Sequence, residues 1–240
     1  MIYKQVETIL NQARVSPRYA NYTMAGYEKA KIALSATITK QVLDAFAKSK
    51  LERAASSDFC SIPGEDPFRL GLFISGPSRS GKTFLLSYLA KTFALNGYGA
   101  FSYHSIDDVK ELHFCERTFL FRKTYLEMQV LLLDNVTTPS HEGYRTCLAR
   151  LLRLRCDYGL PTVIASDLGI SDFVRYYSLP RVLESSGLQN KIIVQDTEIA
   201  NLISSSFVPL TVRTREKRGI EESDIVNSYG KKLVSDMEGI

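Results

Sequence analysis

The chain has 240 residues, 45% of them hydrophobic and 23% charged, with a formal net charge of +4. That balance is typical of globular proteins and gives room for one α/β domain with a small appendage. No apolar run approaches the roughly 20 residues that span a bilayer. Met1–Glu7 has no signal-peptide core, and Cys60, Cys115, Cys147 and Cys156 form no C-x-x-C pair. A spanning helix and a disulfide framework are excluded, and the expectation is a cytoplasmic protein with free, mostly buried thiols. The mild positive charge permits a nucleic-acid partner without arguing for one.

In chain order, Tyr3–Ala13 can form a short helix, which Val15-Ser16-Pro17-Arg18-Tyr19 breaks because the residue before proline is pushed out of the helical region. From about Tyr27 to Ala54, Ile32, Ala36, Val42, Leu43 and Phe46 recur at mixed three- and four-residue spacings, as in a helix buried on one face. Ser56–Pro67 reads as a linker rich in Ser, Pro and Gly. Strands and helices then alternate. Strands are expected at Leu70–Ser75, Gly99–Tyr103, Gln129–Asp134, Thr162–Ser166 and Lys191–Val194. Between them the helical stretches are Phe84–Leu95, Ile106 to about Met128, Gly143–Tyr158 and Ile170–Tyr177. Continuously apolar strands alternating with helices predict a parallel sheet covered on both faces. The division is a helical segment over 1–66, a P-loop core over 67–200 and a lid or tail over 201–240. That tail carries Arg213, Arg215, Lys217 and Arg218, either a phosphate-binding cluster or a charged flexible end, and then an amphipathic stretch over Ile220–Met237.

The stretch Gly76-Pro77-Ser78-Arg79-Ser80-Gly81-Lys82-Thr83 matches the P-loop pattern G-x-x-x-x-G-K-[ST] without a mismatch, between a buried strand and an apolar helix. Its backbone N–H groups and the N-terminus of the helix entered at Phe84 form an anion cradle. Lys82 is placed to reach the β- and γ-phosphates of ATP, and the Thr83 hydroxyl to bind Mg²⁺. A second acidic residue comes from Val130-Leu131-Leu132-Leu133-Asp134, a Walker B pattern that brings Asp134 out at a strand's carboxyl end. The next residue, where many P-loop ATPases carry the carboxylate that activates water, is Asn135. An amide can hydrogen-bond that water but cannot take its proton. Either hydrolysis is slow, or another residue such as Glu142 or Asp167 does the work.

Leu151–Arg155 and Leu160-Pro161-Thr162-Val163-Ile164-Ala165-Ser166-Asp167-Leu168 resemble the Arg-rich helix and the apolar strand of the DnaC/DnaI helicase loaders and the IstB-type transposition ATPases. Val15–Tyr19 resembles the segment that precedes their P-loop, and the likeness runs from about Val15 to Val194. The resemblance implies an AAA+ fold, a five-stranded parallel sheet in the order 5-1-4-3-2 with a small helical part. It also implies a nucleotide-dependent homo-oligomer acting on DNA, with a replicative helicase or a transposase as partner. Gly76, Gly81, Lys82 and Thr83 then correspond to Walker A and Asp134 to Walker B. Asp167 falls where the family has the sensor-1 Asn, and Ser185 where its arginine finger would fall, leaving Arg175 and Arg181 as the nearest finger candidates. These departures imply a divergent member, from a virus or a mobile element, that hydrolyses ATP slowly or not at all. With about fourteen residues before Val15, helicase binding would fall to the first helix, the lid or the tail.

The resemblance also implies DNA-facing elements between the second and third strands. There Lys110, Arg117, Arg122 and Lys123 interleave with Phe114, Phe119, Phe121 and Tyr125. Basic and aromatic residues together suit single-stranded DNA, and the same pattern suits an ordinary amphipathic helix. Arg145, Arg150, Arg153 and Arg155 fit a subunit interface, a DNA contact or a solvated face. His104, His113 and His141 are too far apart to suggest a metal site. Beyond a loader or matchmaker, the chain could be a non-hydrolysing, nucleotide-gated regulator on DNA. A small-molecule kinase fits less well, because nothing marks a second substrate pocket.

Overall fold

The computed structural model describes residues 2–17, 36–55, 68, 70–111, 122–137, 142–178, 181–184, 191–194, 201–204 and 207–213. Five strands form one parallel sheet: β1 (Gly71–Ser75), β2 (Phe101–Ser105), β3 (Val130–Val136), β4 (Thr162–Ser166) and, from further along the chain, β7 (Val208–Thr211). Their order across the sheet is β2-β3-β4-β1-β7, the AAA+ order expected, read from the other edge. The outermost strand is a correction. Lys191–Val194 is a strand (β6), but it pairs antiparallel with β5 (Arg181–Glu184) in a separate ribbon. Its expected place beside β1 is filled by Val208–Thr211, so the core sheet reaches past residue 200 into the stretch read as lid or tail.

The apolar strands explain both layers. Successive side chains on a strand point to opposite faces. Leu72, Ile74, Leu132, Val163 and Ala165 therefore join one cluster, and Phe73, Leu131, Leu133 and Ile164 join the other. The first cluster is completed by α1 (Ile2–Gln12), α2 (Ala36–Ala55) and α3 (Lys82–Leu95). The second holds α5 (Glu142–Asp157), α6 (Ile170–Ser178) and Tyr125. The first helix is thus not an appendage. Val6 and Leu10 on α1, with Ala13 and Val15 just beyond it, are buried in the core, and the Tyr103 N–H donates to the Ala13 carbonyl at 2.8 Å. That contact covers part of the open edge of β2.

Two elements differ in extent from the sequence reading. Strand β2 begins and ends two residues later than expected, and its Phe101, Ser102, Tyr103 and His104 are all buried. The helix after it, α4, spans Ile106–Glu111, and the stretch before β3 is a five-residue π-helical turn, Arg122–Leu126. His104 is buried with its ring 4.9 Å from that of Tyr125, and burial pushes its pKa down to about 4, which keeps it neutral. No helix of the described residues is long and apolar enough to cross a membrane.

Gly71 enters β1 at φ 131°, and a Cβ there would lie 1.8 Å from the Thr162 carbonyl oxygen. The two strands cannot easily separate, since the Thr162 N–H is held by the Leu70 carbonyl at 3.0 Å. Gly71→Ala is expected to cost about 2–3 kcal/mol of stability, from backbone strain and overpacking together. Urea unfolding reads it, and a loss under about 1 kcal/mol would show that the strands can slide apart.

Candidate nucleotide-binding site

The site is built where the strands end. β1 runs into Gly76, β3 into Asp134 and Asn135, β4 into Asp167, and β7 into Val212, all along the carboxyl edge where open parallel sheets bind ligands. This edge is stitched across the strands. The Gly76 N–H donates to the Ser166 carbonyl at 3.2 Å and the Val212 N–H to the Ser75 carbonyl at 2.7 Å. The Ser166 hydroxyl donates to the Val136 carbonyl at 2.5 Å, and the Leu168 N–H donates to that hydroxyl at 3.1 Å. A Cβ on Gly76 would meet the Val212 carbonyl oxygen at 2.3 Å, so the loop's first glycine is required by the close approach of β7.

From Gly76 the loop turns over exposed Pro77, Ser78 and Arg79 and returns through buried Ser80. Arg79 at φ 64° and Gly81 at φ 93° are both left-handed, the backbone pattern that turns successive N–H groups toward one point. Gly81 caps α3, which carries Lys82 and Thr83 in its first turn, and no acidic side chain lies there to compete for an anion. Lys82 is 8% exposed and curls back over the loop. It donates to the Gly76 and Pro77 carbonyls at 2.8 Å each and forms an ion pair with Asp167 at 2.6 Å. Phe84, at the helix N-terminus expected to complete the anion cradle, buries its side chain in the core. What it can offer a phosphate is its backbone N–H.

Asp134 is buried at the end of β3, held from two sides. The Tyr103 hydroxyl on neighbouring β2 donates to Oδ2, and the Asn135 N–H donates to Oδ1 at 2.8 Å. Asn135 itself is exposed at φ 58°, at the point where the pairing of β3 with β4 shifts register. Asparagine tolerates that left-handed conformation better than most side chains. The residue that stands in place of a water-activating carboxylate thus also has a backbone reason to be there.

The residues present fit a nucleotide with Mg²⁺. Left-handed backbone at Arg79 and Gly81, a glycine whose Cβ would clash, a buried lysine and a fixed carboxylate form the donor set that phosphates and a hard cation require. Thr83 and Asp134 would hold the cation, and the bound nucleotide would supply the phosphoanhydride chemistry.

The remaining candidates are placed unequally. Arg175 lies exposed on α6, and Arg181 lies on β5, in the antiparallel ribbon. Arg122 and exposed Lys123 lie on the π-helical turn, while Arg117 falls outside the described residues, as do Arg215, Lys217 and Arg218. Arg150 and Arg153 are exposed on α5, but Arg155 is not a surface residue at all. It is fully buried, and its guanidinium donates to the Thr162 hydroxyl at 2.9 Å and to the carbonyls of Tyr125, Met128 (3.0 Å), Gln129 (3.2 Å) and Pro161 (2.8 Å). Burial pushes its pKa down to about 9, which leaves it charged at neutral pH. Sequence reasoning missed this role, and it missed Tyr103. An arginine seven residues before a strand and a tyrosine inside one carry no signal of their own.

No protein-family model and no curated protein matches the chain. Solved structures do. A DnaC helicase loader superposes with a TM-score of 0.56 at 15% identity, covering 82% of this chain and 99% of that one. The chain has the AAA+ fold of that loader. DnaI superposes with a TM-score of 0.46 at 18% identity, over 72% of this chain and 81% of DnaI. AMPPCP-bound DnaA from Aquifex aeolicus gives a TM-score of 0.43 at 18% identity over 59% of this chain, and the chain spans only 39% of the length of that DnaA. The rim just described is the carboxyl edge of that sheet, with the outer strand drawn from beyond the small antiparallel ribbon.

Proposed function

We propose that the chain is an ATP-binding AAA+ protein that acts on DNA as a helicase loader or a matchmaker in replication or transposition. It binds ATP with Mg²⁺, assembles into homo-oligomers on doing so, and hydrolyses ATP slowly. The observation that carries this reading is the P-loop, with its left-handed turns at Arg79 and Gly81 and buried Lys82 set beside the strand end that bears Asp134. Such a loop at a helix N-terminus is suited to polyphosphate. The fold likeness to a DnaC helicase loader turns the choice among P-loop proteins toward loaders. The proposed partners are single-stranded DNA, through Arg117, Arg122 and Lys123, and a replicative helicase or a transposase. The proposed arginine finger is Arg175 or Arg181, and the proposed compartment is the cytoplasm. Light scattering with an ATP analogue and Mg²⁺, with and without single-stranded DNA, tests the reading. A chain that neither binds the analogue nor changes mass would refute it.

A second reading is favoured by Asn135 and Asp167: a regulator that binds ATP, stays on DNA and recruits its partner without turnover. A turnover assay separates the two, since robust DNA-stimulated hydrolysis rejects the second. Asn135→Glu is expected to raise hydrolysis about ten-fold, a fraction of the 10²–10⁴ that a well-placed general base supplies. It should also cost about 1 kcal/mol of stability, because Glu is disfavoured at φ 58°. Unchanged hydrolysis would assign the bottleneck to Asp167 or to the finger.

A further inference from the structure

Lys82 has three N–H donors and three partners: the Gly76 carbonyl, the Pro77 carbonyl and the Asp167 carboxylate. Two of these are neutral dipoles of the loop itself. The third is an anion, and it is the nearest of the three at 2.6 Å. Asp167 is held in that place by what precedes and follows it. Ser166 is fixed by its hydroxyl bond to Val136 and by the Gly76 N–H, and Leu168 is bonded back to the Ser166 hydroxyl. The carboxylate is therefore presented to Lys82 by a rigid strand end rather than by a mobile loop.

A phosphate that engages Lys82 must take over a donor already in use, and the partner that resembles it in charge and geometry is Asp167. We propose that Asp167 is an affinity-setting residue of this site, an internal substitute for phosphate that holds Lys82 and must be displaced by the nucleotide's phosphate tail. This rests on the reading of the loop as a nucleotide site. Displacement leaves the carboxylate close to the incoming phosphates, so the two anions repel unless Mg²⁺ lies between them. Asp167 is 39% exposed, and solvent screening keeps the penalty moderate.

The test titrates a fluorescent ATP analogue into the wild-type chain, Asp167→Asn and Asp167→Ser, in Mg²⁺ and in EDTA, with circular dichroism to confirm folding. Both variants are expected to bind about ten-fold tighter than wild type in EDTA, the size of a charged hydrogen bond released, and the gain should narrow in Mg²⁺. Without nucleotide, the Lys82 amine should be acylated faster in both variants, mapped by mass spectrometry. If wild type binds the analogue and neither variant binds it more tightly, the inference is overturned whatever the labelling shows. If neither wild type nor variant binds under any condition, the nucleotide reading falls and takes this inference with it.

Discussion

Arg155→Met is expected to destabilise the fold by about 5 kcal/mol, close to the whole stability of an ordinary domain. Methionine fills much the same volume, so the loss comes from polar groups rather than from a cavity. The guanidinium serves the carbonyls of Tyr125, Met128, Gln129 and Pro161 and the Thr162 hydroxyl. Of these, the Pro161 carbonyl keeps a second donor in the Leu131 N–H at 3.2 Å. Each acceptor left buried without a donor costs about 1 kcal/mol or more. Replacing a buried ion pair with apolar residues is often neutral, but that argument needs both partners replaced, and backbone carbonyls cannot be. Arg155→Lys should recover part of the loss, because an ammonium supplies charge but not the planar fork. Urea unfolding with the slope checked against wild type measures both. A loss under about 2 kcal/mol for Met would mean that water or a shifted strand satisfies these groups.

Lys82→Ala is expected to weaken binding of an ATP analogue with Mg²⁺ by about a hundred-fold or more. A charged hydrogen bond to phosphate accounts for about 1.5–3 kcal/mol of that. The rest comes from Asp167, which loses its cation and then faces the phosphate tail alone. The double variant Lys82→Ala/Asp167→Asn should therefore bind more tightly than Lys82→Ala, by a factor that measures the coupling of the pair. Light scattering on Lys82→Ala gives the second readout. An oligomer that persists in this variant would show that nucleotide is not the assembly switch.

How much of this was readable in advance depended on how each residue carries its information. β1, β3 and β4 were legible because a strand buried on both faces must be apolar throughout, and Walker A because its spacing is covalent. Asp134 followed from its position after four apolar residues. The outer strand was not legible. Val208-Pro209-Leu210-Thr211 is short and carries a proline, which is tolerated at a sheet edge but is a poor strand signal. Lys191–Val194 has the better strand composition, and composition does not say which sheet a strand joins. Arg155 was misread because side-chain type reports burial only on average, and a guanidinium with all its donors served is the exception. The ion pair of Lys82 with Asp167 joins positions 85 residues apart in sequence numbering (167 − 82), a distance at which no local pattern operates.

The seating of the first helix has a practical meaning for how this domain can be cut. Ala13 occupies the Tyr103 N–H on the outer side of β2, and Tyr103 in turn holds Asp134. A fragment trimmed to begin at the P-loop would bare a strand edge ready to pair with another molecule, and would loosen the support of Asp134 with the same cut. The smallest piece that keeps this edge covered and Asp134 held therefore starts at the first turn of the chain, not at the P-loop.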